Sequence, residues 1–213
     1  PLETAVNLNT CKKLRYDDNF PNIIINNAAG NFLCPSENLS YNAWNRIIDI
    51  VLKGTIDTTL TFGKDMIKHN ENGTFINIST TYAKTGSAFV LPSAIAKAGC
   101  DNLIKSLSSE WGKYGIRLLG VAPGPIYTKG AFSRLDPNGD FEQMVKNTIP
   151  MKRLGEKEEL ANFITYLSSD YANWMTGQII NFDGGEVVGN SGEFNKLLNL
   201  SDEKLNHFIF KMP

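Results

Sequence analysis

Four short apolar runs, separated by longer stretches of helical periodicity, constrain the fold of this chain more than any other feature. Each run is rich in Ile, Val, Leu or Phe and is bounded by Gly, Pro, Asn or Asp. The runs are Asn22–Asn26, Thr74–Ser79, Ile116–Ala122 and Gln178–Phe182. Near-continuous apolar runs are typical of strands covered on both faces, as in a parallel sheet. Because strands alternate with helices, the pattern predicts an α/β fold with crossover connections.

The segments between these runs carry apolar residues at helical spacing. Helices are predicted over Tyr41–Asn70, Pro92–Tyr114 and Glu156–Ser168. The second begins with Pro92, which suits the first turn of a helix. Weaker helical patterns cover Leu8–Leu14 and Asp202–Phe210, the latter within a polar C-terminal tail, Asn190–Pro213. The length predicts a single domain over residues 1–213 that ends in this tail.

Composition excludes several classes of function. The formal net charge is −1, so no overall field attracts the chain to nucleic acid or to anionic lipid. No apolar run has the length of a membrane span. The three cysteines are far apart and the two histidines are isolated, so the sequence predicts no metal site and favours a reducing compartment.

The N-terminal region lacks a feature that dinucleotide-binding sheets normally have. Such sheets begin with a strand, a Gly-rich turn and a helix whose N-terminus faces the pyrophosphate. Residues 1–20 contain no Gly, and no Gly-rich turn precedes Asn22. The strands therefore correspond to a doubly wound sheet that lacks its first βαβ part. Two explanations stay open, a fragment of a longer chain and a natural minimal variant with an open edge at Asn22–Asn26.

Small and polar residues follow the predicted strands where ligands bind in open α/β sheets, at their carboxyl ends. After the first strand, Ala28, Ala29 and Gly30 would let a cofactor approach the backbone. Tyr82 follows the second strand, where a proton-donating phenol would be useful. Thr128 follows the third strand and could bond a nicotinamide amide or a phosphate. The alternative for each stretch is an ordinary structural turn or a Tyr packed under a loop.

Ser93 and Lys97 lie four residues apart, which places them on one helix face, one turn from each other. A lysine cation near a phenol or a developing oxyanion stabilises negative charge there. With Tyr82 nearby, this spacing is typical of a nicotinamide-dependent reductase site. The alternative is a solvated lysine on the helix surface.

Together these motifs resemble the short-chain dehydrogenase/reductase superfamily from about Asn22 to Gly185. The shared elements are Asn26–Gly30, the Tyr82, Ser93 and Lys97 region, Pro123-Gly124 and Asp183–Gly185. Ser93 stands where the superfamily has the Tyr of its Tyr-x-x-x-Lys signature. Within the superfamily the chain is most similar to the mitochondrial branch of the 2,4-dienoyl-CoA reductases. The additional marks of that branch are Asn27–Phe32, Pro92–Gly99, Glu110–Gly115, Lys129–Pro137 and Ser191–Asn195.

The resemblance implies a Rossmann-like, doubly wound parallel sheet and NADPH-dependent reduction of 2,4-dienoyl-CoA to 3-enoyl-CoA in fatty-acid β-oxidation. Tyr82 and Asn31 would donate hydrogen bonds to the thioester oxygen, Ser93 would bond within this network, and Lys97 would hold the nicotinamide ribose. The implied cofactor contacts are Asn27, Ala28, Ala29, Gly30, Lys97, Pro123, Gly124, Pro125, Ile126 and Thr128. The implied substrate contacts are Phe32, Leu33 and Ser40.

The resemblance also implies an acyl-CoA substrate, a homotetramer and the mitochondrial matrix. The NADPH preference comes from the family, because the residues that would recognise the 2′-phosphate are not in this sequence. Lys53 stands where the family has Asn, and would either place a second cation at the site or turn outward. Two other functions stay open: a short-chain reductase for a ketone or an acyl-carrier thioester, and a catalytically silent half-domain that binds partners.

Overall fold

The computed structural model of the protein describes residues 8–127 and 140–209. The chain divides into two compact units. One comprises Pro1–Gly124 with Glu156–Phe182, and the other comprises Pro125–Gly155 with Asp183–Pro213. The single domain expected over residues 1–213 stays a prediction.

The first unit contains a four-stranded parallel sheet. Its strands are β1 (Ile23–Asn26), β2 (Gly73–Ile78), β3 (Ile116–Pro123) and β4 (Ile179–Phe182), in the order β1-β2-β3-β4. The predicted α/β class and the four predicted strands are confirmed, with ends that shift by one residue. All of β2 except its last residue is buried, as expected of a strand covered on both faces.

Helices connect the strands and continue beyond them. They are α1 (Leu8–Tyr16), α2 (Tyr41–Ile47), α3 (Gly54–His69), α4 (Tyr82–Thr85), α5 (Leu91–Trp111), α6 (Asp140–Thr148), α7 (Lys157–Ser168), α8 (Glu186–Ser191) and α9 (Asp202–Ile209). The helix predicted over Tyr41–Asn70 is interrupted by a π-helical segment, Ile48–Lys53. The hydroxyl of Thr55, near the start of α3, donates to the carbonyl oxygen of Val51 in this segment at 2.7 Å.

Two apolar layers enclose the sheet. On one face, α3 and α5 cover β1, β2 and β3. The buried residues of this layer are Cys11, Ile24, Phe62, Met66, Phe75, Ile104, Leu107, Trp111, Ile116 and Leu118. On the other face, Leu167 of α7 joins the buried Ile76, Leu119 and Val121. The carboxyl ends of β1 and β2 lie side by side, with Asn26 opposite Asn77.

Gly63 of α3 lies against the Trp111 ring, and this contact gives a stability prediction. A Cβ added at Gly63 would lie 2.2 Å from Trp111 Cζ3, far inside van der Waals contact. Trp111 is itself buried against Phe75, with ring centroids 6.4 Å apart, so it cannot withdraw into solvent. We expect Gly63→Ala to lower the free energy of unfolding by about 1–3 kcal/mol, as overpacked cores do. Urea denaturation followed by circular dichroism measures this change.

Gly112 provides a matched control for the Gly63 variant. It has a negative φ of −55°, and an added Cβ would meet no atom within 4 Å. Gly112→Ala should therefore leave stability unchanged or raise it slightly, because Ala restricts the unfolded chain. Equal stability of the two variants would contradict the close packing of α3 against α5.

Strand β1 forms an edge of the described sheet, where it pairs only with β2. Ile24 is buried in the layer under α3 and α5. The side chains of Ile23 and Ile25 point to the opposite face, and these residues are 42% and 48% exposed. The predicted edge at Asn22–Asn26 is therefore present in the described part of the chain.

The second unit contains α6, α8 and α9. An isolated parallel bridge joins Ile126 to Gly155. The Asp183 carboxylate accepts hydrogen bonds from the backbone N–H groups of Gly185 and Val187 at 3.0 and 2.9 Å, which fixes the turn that leads into α8. The helix predicted over Asp202–Phe210 is present as α9. Across the described ranges of the two units, no helix combines the length and the apolar character that crossing a bilayer requires.

Candidate active site

The Tyr82 hydroxyl is the centre of a hydrogen-bonded cluster at the carboxyl end of the sheet. Asn31 Nδ2 donates to Tyr82 Oη at 3.2 Å. Tyr82 Oη and Ser93 Oγ are also 3.2 Å apart, and either oxygen can donate. Three side chains predicted as catalytic therefore meet at one phenol oxygen, although they come from the loop after β1, from α4 and from α5.

The local sequence explains why Asn31 faces the phenol. Asn31 Oδ1 accepts a hydrogen bond from the backbone N–H of Phe32 at 2.9 Å. This contact fixes the amide with its NH₂ group toward Tyr82. Since the NH₂ group has two hydrogens, one stays available for a further acceptor. Asn31 is exposed, so that acceptor can belong to a ligand.

Tyr82 and Ser93 are positioned by neighbouring helix starts. Tyr82 is the first residue of α4, and Gly86, with a positive φ of 74°, ends that short helix. Ser93 lies in the first turn of α5, where Pro92 costs no hydrogen bond. Ser93 is only 3% exposed, so its hydroxyl needs an internal partner, which Tyr82 provides.

Lys97 lies one turn after Ser93 and is 7% exposed. Its Nζ donates to the backbone carbonyl oxygen of Ile78, the last residue of β2. Burial lowers the pKa of Lys97, while Cys100 and Asp101 act in the opposite direction. The helix spacing thus yields a buried amine at the strand end that precedes Tyr82, and not a solvated lysine.

The residues predicted to contact the cofactor after β1 form an exposed turn. Asn27, Ala28 and Ala29 are exposed, and Gly30 is half-buried. A Cβ at Gly30 would lie 3.3 Å from Ile47 Cδ1, so a side chain there would crowd α2. Few side chains therefore cover the backbone of this turn, so a ligand can approach it. The cofactor contacts of the turn stay predictions.

The predicted cofactor contacts after β3 are divided between the two units. Pro123 ends β3, and the Gly124 N–H donates to the Phe182 carbonyl oxygen at 3.0 Å. Pro125 and Ile126 belong to the second unit. Thr128 lies outside the described residues. The roles assigned to these five residues stay predictions.

The predicted substrate contacts differ in their surroundings. Phe32 packs against an apolar cluster formed by α2, the π-helical segment and α5, and Leu33 is 64% exposed. The Ser40 hydroxyl accepts a hydrogen bond from the Ala43 N–H at 3.2 Å and caps α2. Ser40 therefore has a structural role that the sequence interpretation did not include, because Ser is among the preferred N-cap residues.

Lys53 turns outward, which was one of its two expected positions. Its side chain is 65% exposed, and its Nζ lies 2.6 Å from Asp49 Oδ1, one helical turn away. It places no second cation beside Lys97.

A layer of buried polar side chains lies beneath this cluster, and the sequence interpretation missed it. Asn26 Nδ2 donates to Asn77 Oδ1 at 2.8 Å and to Thr59 Oγ1 at 3.1 Å. Asn77 and Ser79 alternate along β2 and its continuation, so they point to the face covered by α3 and α5. Asp101 lies one turn after Lys97 on α5. These alternations were visible in the sequence, as polar residues at period two in β2 and at i, i+4 in α5.

Comparison with known proteins agrees with this geometry. A protein-family model described as enoyl-(acyl carrier protein) reductase matches residues 11–186. The chain is 49% identical over 168 residues to an uncharacterized oxidoreductase of Caenorhabditis elegans, covering 78% of this chain and 54% of that protein. It is 45% identical over 174 residues to a probable (3E)-enoyl-CoA-producing 2,4-dienoyl-CoA reductase of the same organism, covering 81% and 56%.

A solved structure with a similar fold also matches this chain. The crystal structure of a short chain dehydrogenase from Bacillus anthracis matches with a TM-score of 0.74 and 40% identity, covering 85% of this chain and 72% of that chain. The chain spans about half the length of the curated relatives it matches. One conclusion follows from the parallel sheet, from the serine and lysine one turn apart on α5, and from the family match over residues 11–186. The chain belongs to the short-chain dehydrogenase/reductase family.

Proposed function

We propose that this protein reduces 2,4-dienoyl-CoA to 3-enoyl-CoA with NADPH. One observation carries the proposal: the phenol of Tyr82 is held by Asn31 and Ser93, while the position one turn before Lys97 is a serine. A hydroxyl-bearing cluster of this kind suits a substrate whose carbonyl oxygen gains negative charge. The 45% identity to a probable 2,4-dienoyl-CoA reductase supports the same substrate class.

The described residues suit the nicotinamide end of the cofactor. The exposed turn of Asn27, Ala28 and Ala29 lets a planar ring approach the backbone at the carboxyl end of β1, and Lys97 provides a cation within the same unit. Residues 1–20 contain no Gly, so they offer no Gly-rich turn for the pyrophosphate. When bound, NADPH supplies a hydride to the far end of the conjugated diene.

The side chains of the cluster would stabilise the charge that this reduction places on the thioester oxygen. Tyr82 Oη can accept hydrogen bonds from Asn31 and Ser93, which leaves its own hydrogen for the substrate oxygen. The remaining amide hydrogen of Asn31 can reach the same oxygen. A donor that itself accepts hydrogen bonds is strengthened by polarisation. Protonation of the carbon next to the thioester then gives the 3-enoyl product.

A coupled assay of substrate choice tests this proposal. NADPH consumption by the purified full-length protein is measured with a 2,4-dienoyl-CoA, with a simple ketone and with an enoyl-acyl carrier protein. NADH replaces NADPH in a parallel series. We expect consumption with the dienoyl thioester and a 3-enoyl product by mass spectrometry and chromatography. Reduction of the acyl carrier thioester alone would favour the second candidate, which the description of the matching family model supports. Reduction of the ketone alone would exclude both thioester functions.

We also propose a homotetramer in the mitochondrial matrix. The family resemblance supports both, and exposed apolar side chains support association. Ile50, Leu91 and Ile95 are 43%, 39% and 45% exposed on the π-helical segment and α5. Light scattering after size-exclusion chromatography tests the oligomeric state, and imaging of the tagged full-length protein in its own cells tests the location.

A further inference from the structure

Three buried polar atoms beneath Lys97 lack a hydrogen-bond partner among the described residues. They are Asn77 Nδ2, Ser79 Oγ and Asp101 Oδ1. The three residues are 2%, 5% and 9% exposed, so bulk water does not satisfy these atoms. Buried polar atoms without a partner are rare, and each such atom in a native structure indicates a function or an internal water molecule.

The three atoms lie on one side of the sheet. Asn77 and Ser79 point to the face that α5 covers, because side chains two residues apart in a strand share a face. Asp101 is one helical turn from Lys97, on the same face of α5. Lys97 Nζ donates to the carbonyl oxygen of Ile78, the residue between Asn77 and Ser79. The ammonium group of Lys97 and the carboxylate of Asp101 therefore both lie near the end of β2.

The chemistry of the three atoms is complementary. Asn77 Nδ2 is a donor, Asp101 Oδ1 is an acceptor, and the Ser79 hydroxyl can be both. The hydroxyl is near enough to Asp101 to influence its carboxyl group, yet the contact falls short of full hydrogen-bond geometry. Polar groups at such separations are commonly bridged by a water molecule.

We propose that Asp101, which lies close to the Ser79 hydroxyl, is a positioning residue that keeps Lys97 charged and seated on the Ile78 carbonyl. This inference rests on the proposed function, in which Lys97 acts as the cation beside the nicotinamide ribose. Burial alone disfavours the charged form of a lysine, so an active cation at this depth needs a counterion. Within the described residues, Asp101 is the only carboxylate that acts on Lys97.

The charged and titratable groups around this pair are few. Lys97 faces Cys100 and Asp101 on its own helix, and the carbonyl end of β2. Burial raises the pKa of Asp101, while the Ser79 hydroxyl, Lys105 and Lys97 lower it. Burial also raises the pKa of the Cys100 thiol, so this thiol stays uncharged near neutral pH and cannot replace Asp101 as a counterion.

The titration of Lys97, followed by NMR of ¹³C-labelled lysine side chains, tests the proposal without any assay of activity. In Asp101→Asn we expect the pKa of Lys97 to fall below its value in the unmodified protein, because the nearby negative charge is lost. Glu110→Gln removes the same charge from an exposed position of α5 and should leave Lys97 unchanged. An unchanged Lys97 titration in a folded Asp101→Asn protein would overturn the proposal.

Ser79→Ala provides an independent variant should Asp101→Asn fail to fold. It removes the hydroxyl that favours the Asp101 carboxylate, so the pKa of Asp101, followed by NMR of ¹³C-labelled aspartate side chains, should rise. An unchanged titration of Asp101 in Ser79→Ala would overturn the proposal, because the Ser79 hydroxyl would then not act on the carboxylate. If dienoyl-CoA reduction occurs, Asp101→Asn should lower turnover, and the loss should deepen as the pH rises, because Lys97 then gives up its proton at a lower pH than in the unmodified protein. Absence of dienoyl-CoA reduction would reject the proposed function, while the titration still decides the role of Asp101.

Discussion

Replacement of Tyr82 by Phe in the full-length protein should lower turnover with 2,4-dienoyl-CoA by a factor of about 100 to 1,000, which is the usual cost of one oxyanion donor. The phenol hydroxyl acts only on charge that develops during the reaction, so NADPH affinity should stay nearly unchanged. The ring itself is retained, and Asn31 and Ser93 lose only their common partner. Steady-state kinetics and a fluorescence titration with NADPH measure the two quantities.

Tyr171→Phe is the matched control, because it removes a phenol hydroxyl from a residue that is 89% exposed. It should change neither turnover nor affinity. The unfolding free energy of Tyr82→Phe should also be recorded, since the buried Ser93 hydroxyl loses a hydrogen bond worth about 1 kcal/mol. Turnover close to that of the unmodified protein would show that Tyr82 does not stabilise the oxyanion, and would remove the main support for the proposed mechanism.

The strands and helices that position the site were predictable because their sequence patterns favour the same structure that their packing in the fold requires. The apolar runs form the strands β1 to β4, of which β2 and β3 are mostly buried. Pro92 marks the start of α5, as helix-start preferences require. The pairing of Ser93 with Lys97 followed from helical spacing alone. That Tyr82 would meet Asn31 followed from parallel strands, whose carboxyl ends share one edge.

Other features depend on tertiary contacts that no local pattern contains. The π-helical segment Ile48–Lys53 interrupts a stretch whose apolar periodicity predicts one continuous helix. Ser40, predicted as a substrate contact, also caps α2 through its hydroxyl, and this local role was not assigned because a capping serine and a ligand-binding serine look alike in a sequence. Its contact with the substrate stays a prediction. The burial of Asp101 was not predicted, since a carboxylate in a helix is normally exposed.

Replacement of Lys97 by Met should weaken both NADPH binding and turnover, in contrast to the Tyr82 variant. Met keeps the unbranched, apolar part of the side chain in a site that is 7% exposed, but it removes the ammonium group. Hydrogen bonds to charged groups contribute about 1.5–3 kcal/mol. Loss of the ribose contact should therefore weaken NADPH binding about ten- to a hundredfold. Turnover should fall further, because the cation also favours negative charge near Tyr82.

The pH dependence of NADPH binding separates the charge of Lys97 from its shape. Burial lowers the pKa of Lys97, so the ammonium form is lost as the pH rises through a value below that of an ordinary lysine. NADPH binding by the unmodified protein should therefore weaken as the pH rises, and this alkaline step should come at a lower pH than the titration of an exposed lysine. NADPH binding by Lys97→Met should lack this alkaline step. Lys113→Met removes a cation from an exposed residue and should keep the step unchanged. Normal NADPH binding by Lys97→Met at neutral pH would contradict this prediction. It would show that another residue contacts the ribose and that another group causes the alkaline step in the unmodified protein.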